Sequence, residues 1–379
     1  MDFTLSEEQV MLQDAVTRFF REKYGFDDRR KLIKDASSSP EIWTGITELG
    51  IIGAALPEEF GGLGGSAVNT MVIMEALGSA LVVEPYLETA VVGAGLLRRT
   101  GGERTRQALE AMLDGKARFA LASCEPTARY ALHDISTYAR RAGDEWILNG
   151  AKTVVDAAPV ATHLLVTART SGGRRDAAGV SLFLVDKAAA GITMHPYRLI
   201  DGRSAADLEF NEVRLPADAL LGQEGQSLPL LEQVRDEAIA AVCSEAVGGM
   251  RRMLQDTIEY TKQRRQFGQP LASFQVLQHR MVDMYMALEQ AVSAVYLVTL
   301  KLDADPVARA SAASAAKATI AQSARYIGQS AVQLHGGMGM TDELAVGHYF
   351  KRATVIESQF GSRDFHLARY AKLSRAEAA

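Results

Sequence analysis

The sequence predicts an α+β protein in three segments, helical, then β, then helical. Three observations carry this. Over residues 1–117 apolar side chains recur at helical spacing, as Val10, Val16, Phe19 and Phe20 do. Over 118–222 short alternating runs separated by turns take their place. Over 223–379 the helical spacing returns in a chain rich in small residues.

The elements follow in order. Ser6 with Gln9 three residues on forms the pattern of a capping box at the first helix. "LPEEFGGLGGS" (56–66) carries Pro and four Gly, so it reads as a loop whose backbone bends tightly or approaches something closely. In the middle segment "EWILNGAKTVV", "HLLVTA", "SLFLV" and "ADLEFNEVRLP" read as strands, with Asn149-Gly150 expected as a tight turn between two of them. "ARASAASAAKATIAQSARYIGQSAVQLHGG" reads as one long helix ending at Gly336-Gly337, where glycine permits a left-handed cap.

Composition narrows the function. A chain of 379 residues, 47% apolar and 23% charged, has the make-up of a soluble globular protein of two or three packed units. Its net charge of -5 is spread along the chain without a long basic run, which argues against a nucleic-acid partner. No apolar stretch is expected to approach the roughly 18 residues of a membrane span, and "MDFTLSEEQV" is acidic where a secretory leader is basic, so the expected location is cytoplasmic. Cys124 and Cys243 are too few for a disulfide framework, and the seven histidines lack metal-ligand spacing.

Several stretches carry chemistry. "YTKQRRQFGQPLASFQVLQHRMVDM" (260–284) joins two helices through Arg264, Arg265, Phe267, Gly268 and Pro270. Adjacent guanidiniums, an aromatic and a following helix start suit a diphosphate and a ring, although a solvated loop has the same composition. "QLHGGMGM" (333–340) leaves backbone N–H groups open to a ligand, or is a plain helix cap. Glu245 is the one charged residue in "AIAAVCSEAVGGM" and shares a helical stripe with Ala238, Val242 and Gly249. A carboxylate in such poorly hydrated space is a better proton acceptor near neutral pH, or it is a buried partner of an arginine on a neighbouring helix. Glu237, beside Arg235 and Asp236, reads as a solvated helix face. His335 reads as a backbone-bonded histidine at a helix end, and both cysteines read as packed small hydrophobes.

Taken together, "FTLSEEQ", "PEEFGGLGGS", "NGAKTVV", "RRQFGQPLASFQVLQHRMVDM" and "QLHGGMGMTDELAVGHYFKR" resemble the flavin-dependent acyl-CoA dehydrogenase family along nearly the whole chain. The likeness extends to a small-subunit type that works beside a related large subunit. The resemblance implies an N-terminal helical domain, a central β-barrel-like domain and a C-terminal four-helix bundle. It implies FAD at a subunit interface, an acyl-CoA substrate, an electron-transfer flavoprotein as acceptor, and a dimer or tetramer. Arg264, Gln266 and Phe267 match family positions that contact the adenosine diphosphate of a neighbouring subunit's FAD, and Gln333, Gly336 and Gly337 match those that meet it from the partner side. In the family reaction a carboxylate removes the α-proton of the thioester while the β-hydrogen leaves as hydride to the flavin.

The same register locates departures. Counting from Gln333, the usual C-terminal base falls on Phe360, which takes no proton; Glu357 lies three residues early and is not expected to serve. The alternative family position, on an earlier helix, falls on Ala238. Glu245, two turns or about 10 Å further along that helix, is the first choice for the base and Glu237 the second. The "TEPGSGSD"-like flavin loop is "SCEPTARYALHD" (123–134), with Cys124 at the threonine position; Val154 replaces the shielding tryptophan and Asp156 a threonine. Three activities follow: a dehydrogenase using Glu245, a non-catalytic partner subunit that supplies half a cofactor site, or an acyl-CoA oxidase.

Overall fold

The computed structural model describes residues 4–35 and 38–377. Phe3 of the FTLSEEQ motif lies outside them. The first helices are α1 (Glu7–Lys23), α2 (Phe26–Asp35), α3 (Pro40–Glu48), α4 (Ala67–Ser79), α5 (Ala94–Leu97) and α6 (Glu103–Leu113). Strands follow as β1 (Phe119–Ala122), β2 (Tyr138–Ala142), β3 (Glu145–Asp156), β4 (His163–Arg169), β5 (Val180–Asp186), β6 (Ile192–Arg198), β7 (Ser204–Pro216) and β8 (Leu220–Leu221). The chain then forms α7 (Leu228–Gln263), a hairpin of β9 (Arg265–Gln266) and β10 (Gln269–Pro270), α8 (Gln275–Leu300), α9 (Pro306–His335), α10 (Ala345–Ser358) and α11 (Arg363–Glu377). This is the helical, β, helical order that the periodicities predict. Ser6 and Gln9 form both halves of the capping box on α1.

Packing groups the chain into two compact units that do not follow the order of the three segments. One holds the residues up to Arg30, Ala67–Val82 and those from Ile239 onward; the other holds Lys31–Ser66 and Val83–Ala238. The N-terminal helices are divided because α1 packs on α4, and α4 on α8 of the C-terminal bundle.

In the first unit α9 packs against α8, α10 and α11. Its buried stripe of Ala310, Ala313, Ala316, Ala324 and Ala331 lets three helices approach one axis, since alanine keeps backbones close at no side-chain entropy cost. Asp305 caps it, accepting from Val307 N and Ala308 N at 3.0 Å each. α4 and α7 meet backbone to backbone: a Cβ on Gly78 would stand 1.9 Å from the Glu245 carbonyl oxygen, and one on Gly248 1.9 Å from that of Glu75. Contrary to the sequence-based expectation, α8 is long and apolar enough by length and composition to cross a membrane. One side of it packs on α9, while Val276, Val282, Tyr285, Met286, Leu297 and Leu300 stay exposed.

In the second unit eight strands form one sheet in the order β6-β7-β3-β2-β4-β5-β8, with β1 parallel to β4. β4 and β5 are buried along nearly their whole length, and Trp146, Leu148, Leu164, Val166, Phe183 and Leu208 build the core beside them. Asn149-Gly150 is not the expected turn. It lies within β3 at a register shift against β7, where Gly150 takes φ 141° and the Asn149 side chain donates to the Glu212 carboxylate at 2.8 Å. The turn falls instead at Gly143, between β2 and β3. The 56–66 loop approaches its own backbone as predicted: a Cβ on Gly62 would sit 2.1 Å from the Leu56 carbonyl oxygen.

Candidate active site

In the sheet unit, the loop after β1 is anchored by a buried pair. Glu125 accepts from Ser136 N at 2.7 Å, Thr137 N at 3.0 Å and Lys152 Nζ at 2.8 Å; Lys152, fully buried on β3, also donates to Thr167 Oγ1 at 3.1 Å. Burial pushes Lys152 down to about 8. Burial also acts to raise Glu125, but the Lys152 charge and the three hydrogen bonds outweigh it and hold the carboxyl below its usual range. Between about pH 8 and 10.5 the unfolded chain therefore holds a lysine proton that the folded chain has lost, so this lysine makes stability rise with pH across that window. The denaturation midpoint of wild type is expected to gain over Lys152→Met on going from pH 8 to pH 10, while at pH 7 the substitution costs about 3–5 kcal/mol by leaving Glu125 unpaired.

Cys124 is held beside β3, its carbonyl accepting from Thr153 N at 2.9 Å, and burial pushes its thiol up, away from the nucleophilic thiolate. At the end of β3 a bulge sets Thr153 and Val154 against Asp207 alone: the register passes from Lys152 opposite Leu208 to Val155 opposite Ala206. Val154 takes φ 50° and is half exposed. Asp207 accepts from Val154 N at 2.9 Å, Thr153 Oγ1 at 2.8 Å and Tyr197 Oη at 2.9 Å, and the Val154 N–H is the main cause of its lowered pKa. Burial, helped by Asp207, pushes the Tyr197 phenol up to about 12. The sequence reading did not single out Asp207, whose only signal is one acid in the alternating run of β7.

Arg169 is a second residue it missed. Its buried guanidinium donates to the carbonyls of Ala178 and His133 at 2.6 Å each, of Asp176 at 2.9 Å and of Arg174 at 3.0 Å. Arg174 also bonds Asp134 and Thr127, and Arg175 reaches Asp134 at 3.1 Å. The loop that replaces the Gly-Ser-Asp pattern is thus pinned by arginines.

Glu237, also in this unit, meets Arg99 through both carboxylate oxygens and Arg98 at 3.5 Å. The expected solvated face is therefore half-buried and paired.

In the helical unit Glu245 is 2% exposed and forms a two-pronged pair with Arg352 of α10, each prong 2.7 Å. Arg352 further donates to Gln359 Oε1 at 3.2 Å. This is the arginine-paired arrangement that the sequence left open beside the base. Glu357 pairs with Arg325. His335 lies at the end of α9 with Nδ1 2.8 Å from the Ala331 carbonyl oxygen, stacked on Tyr260 at 4.3 Å.

The β9–β10 hairpin turns through Phe267 (φ 53°) and Gly268 (φ 80°). Phe267 is 91% exposed, and Arg264 and Gln266 are exposed with it. An aromatic in the left-handed region and open to water is costly on both counts, and within the chain its ring meets Phe274 edge-on at 6.2 Å. At the end of α9, Gln333, Gly336 and Gly337 are exposed, and a Cβ on either glycine would meet nothing within 4 Å. Forked cations, an aromatic, and bare glycine backbone fit the diphosphate and adenine of FAD. In the sheet unit the polar set is altered, with Cys124, Val154 and Asp156 at the resembling positions.

Comparison with known proteins decides the family. Three acyl-CoA dehydrogenase domain models match in succession: the N-terminal domain over residues 6–116, the middle domain over 120–213 and the C-terminal domain over 235–373. Acyl-CoA dehydrogenase FadE12 of Mycobacterium tuberculosis is 30% identical over 354 residues, 91% of this chain and 90% of the relative. The chain belongs to the acyl-CoA dehydrogenase family. It is accordingly an oxidoreductase of the class acting on CH–CH bonds, and its cofactor is FAD. The caffeyl-CoA reductase-Etf complex subunit CarC of Acetobacterium woodii is 29% identical over 360 residues, 92% of this chain and 93% of the relative. The structure of the FAD complex of PigA covers all of both chains at TM-score 0.92 and 26% identity. In this acyl-CoA dehydrogenase chain Arg264, Gln266 and Phe267 of the hairpin, and Gln333, Gly336 and Gly337 at the end of α9, are all exposed.

Proposed function

We propose that the chain works in the FAD-dependent α,β-dehydrogenation of an acyl-CoA thioester and hands the electrons to an electron-transfer flavoprotein. The strained, exposed Phe267 turn with Arg264 and Gln266 beside it carries the reading, because a bound adenosine diphosphate accounts for each of these features. The relative named as part of an Etf complex supports the acceptor. Bound FAD supplies the hydride acceptor for the β-hydrogen. Arg264 and Gln266 hold the diphosphate, Phe267 covers the adenine side, and Gln333, Gly336 and Gly337 offer backbone and side-chain amides to a neighbour's cofactor. Cys124 lies on the flavin-ring side, where its backbone, tied to β3, shapes the wall.

The proton has two possible destinations. In a complete enzyme Glu245 takes it, after Arg352 lets go on substrate binding, with Glu237 the second choice. In the other reading this chain is a partner subunit that lends half a cofactor site to a related large chain, as in a small subunit of the pimeloyl-CoA dehydrogenase kind. The second reading is favoured by one observation: Glu245, Glu237 and Glu357 are each closed by arginine. Glu245→Gln in the assembled enzyme is expected to bleach its flavin with acyl-CoA within about twofold of the wild-type rate. A loss beyond ~100-fold, the usual worth of a general base, would restore Glu245 to that role. Peroxide released in air would instead mark an oxidase.

The exposed apolar side of α8 supports assembly with another chain of this family. Tyr285→Glu combined with Met286→Lys is expected to reduce the mass measured by light scattering to that of one chain and to release FAD. An unchanged mass with FAD retained would remove α8 from the interface.

A further inference from the structure

A buried chain of polar groups ends on the segment that follows α9. Arg29, buried on α2, donates from Nε to the Leu81 carbonyl at 2.8 Å and from Nη1 to Nδ1 of His348, buried on α10, at 3.0 Å. A guanidinium has donors only, so Nδ1 is the bare nitrogen and the ring proton sits on Nε2. Nε2 lies 3.3 Å from the Asp342 carbonyl oxygen, to which it donates. Both ring nitrogens are therefore committed, in one tautomer. Phe26 meets the ring edge-on at 5.0 Å. At the far end of the chain Leu81 keeps φ 55°, a conformation that persists where its surroundings over-determine it.

Asp342 stands just past the glycine turn. Gly336–Met340 forms a 3-10 turn, closed by Thr341, whose N and Oγ1 donate to the Met338 carbonyl at 3.2 and 2.9 Å. A Cβ on Gly339 would stand 2.7 Å from the Val332 carbonyl oxygen, and one on Gly347 3.1 Å from that of Gly339. The end of α9, the turn and the start of α10 thus lie backbone to backbone, so a shift of the Asp342 carbonyl is passed on to the turn.

The charges around His348 are set against a second ring proton. Burial first and the Arg29 charge next hold it below the usual histidine range, with Lys351 acting the same way. The Asp342 carboxylate, 3.7 Å from Nε2, opposes them, but it already pairs with Lys351 at 3.0 Å and feels Arg30. On α7, Arg252 and Asp256 pair with each other and bear on the neighbouring Tyr349. A proton on Nδ1 would point at the Arg29 guanidinium, donor against donor.

We infer that His348 is a positioning residue and a proton-sensitive latch: neutral, it joins Arg29 to Asp342 and holds the glycine turn; protonated, it lets Arg29 go and frees the turn. Below about pH 6.5 the unfolded chain takes up a proton that the folded ring refuses, so the latch loses stability as pH falls. FAD held at the turn is then released faster in acid. That consequence rests on the reading above, in which Gly336 and Gly337 meet the cofactor; the latch does not.

Two readouts on the FAD-loaded protein test the two halves. The protection factor of amides 336–344 is expected to fall at least about tenfold between about pH 7.5 and about pH 5, while 310–330 of α9 keeps its own. In His348→Gln, whose amide accepts from Arg29 and donates to Asp342 without titrating, 336–344 is expected to have wild-type protection at the higher pH and to hold it within about twofold at the lower. No fall in the wild type, or an equal fall in His348→Gln, overturns the latch. Should His348→Gln not fold, Phe26→Leu, which opens the ring to water, is expected to move the transition to higher pH, and an unmoved transition overturns it. The rate of FAD release, read from the rise in flavin fluorescence, is expected to increase about tenfold over the same pH range in the wild type and about twofold at most in His348→Gln. Equal release rates with the exchange result intact overturn the turn's part in holding FAD and leave the latch standing.

Discussion

Arg352→Met is expected to lower the unfolding free energy by about 3–5 kcal/mol, measured as a shift of the urea midpoint, and to lower FAD content as folded protein is lost. The reason is asymmetric. Removing the guanidinium leaves the Glu245 carboxylate 2% exposed and stripped of its two-pronged partner, and a buried uncompensated charge costs far more than the intact pair contributes. It also frees Gln359 from one of the groups that hold the turn beside Phe360. Restoring shape and neutrality together, in Glu245→Leu with Arg352→Met, is expected to recover most of the loss, since replacing both members of a buried pair is often close to neutral. A single Arg352→Met protein with the wild-type midpoint would show that Glu245 is solvated in solution, and would reopen its use as a base.

Phe360→Glu is expected to raise the rate at which acyl-CoA bleaches the flavin by ~100-fold or more, the range in which a well-placed general base works. The turn is already built: Lys317 and His366 fix its carbonyls, and residue 360 is already left-handed, so glutamate inherits a set direction at no new strain. Stopped-flow absorbance with butyryl-CoA and no external acceptor reads the rate directly. A gain would mean that the chain lacks its own proton acceptor, as the partner-subunit reading requires. No gain, with binding of butyryl-CoA retained, would mean that the proton already has a destination within this chain.

The fold was legible because it depends on local periodicity. The apolar run "SLFLV", buried on both faces of the sheet, and the helical spacing in the segment from 306 to 335 each state their element without reference to distant residues. Asn149-Gly150 was misread for a definite reason: an Asn-Gly pair suits a bulge as well as a hairpin turn, and the choice between them belongs to the opposing strand, where Glu212 bonds Asn149. The connection between α7 and α8 was legible too, as a run of Arg, Gln, Phe, Gly and Pro that interrupts two helical patterns. Asp207 and Arg169 were not, because each acts on backbone groups far from it in sequence, Asp207 on Val154 and Arg169 on His133.

The sequence alone determined the order of elements and the family likeness, since each is written in residue identity and spacing. It could place Glu245 on an apolar stripe of α7, but an apolar stripe suits both a poised base and a buried ion pair. Only the tertiary structure brought Arg352, 107 positions away, onto both of its oxygens. The physical reason is that desolvation makes a lone carboxylate a proton acceptor and makes a paired one a strut, and the difference lies wholly in what stands opposite.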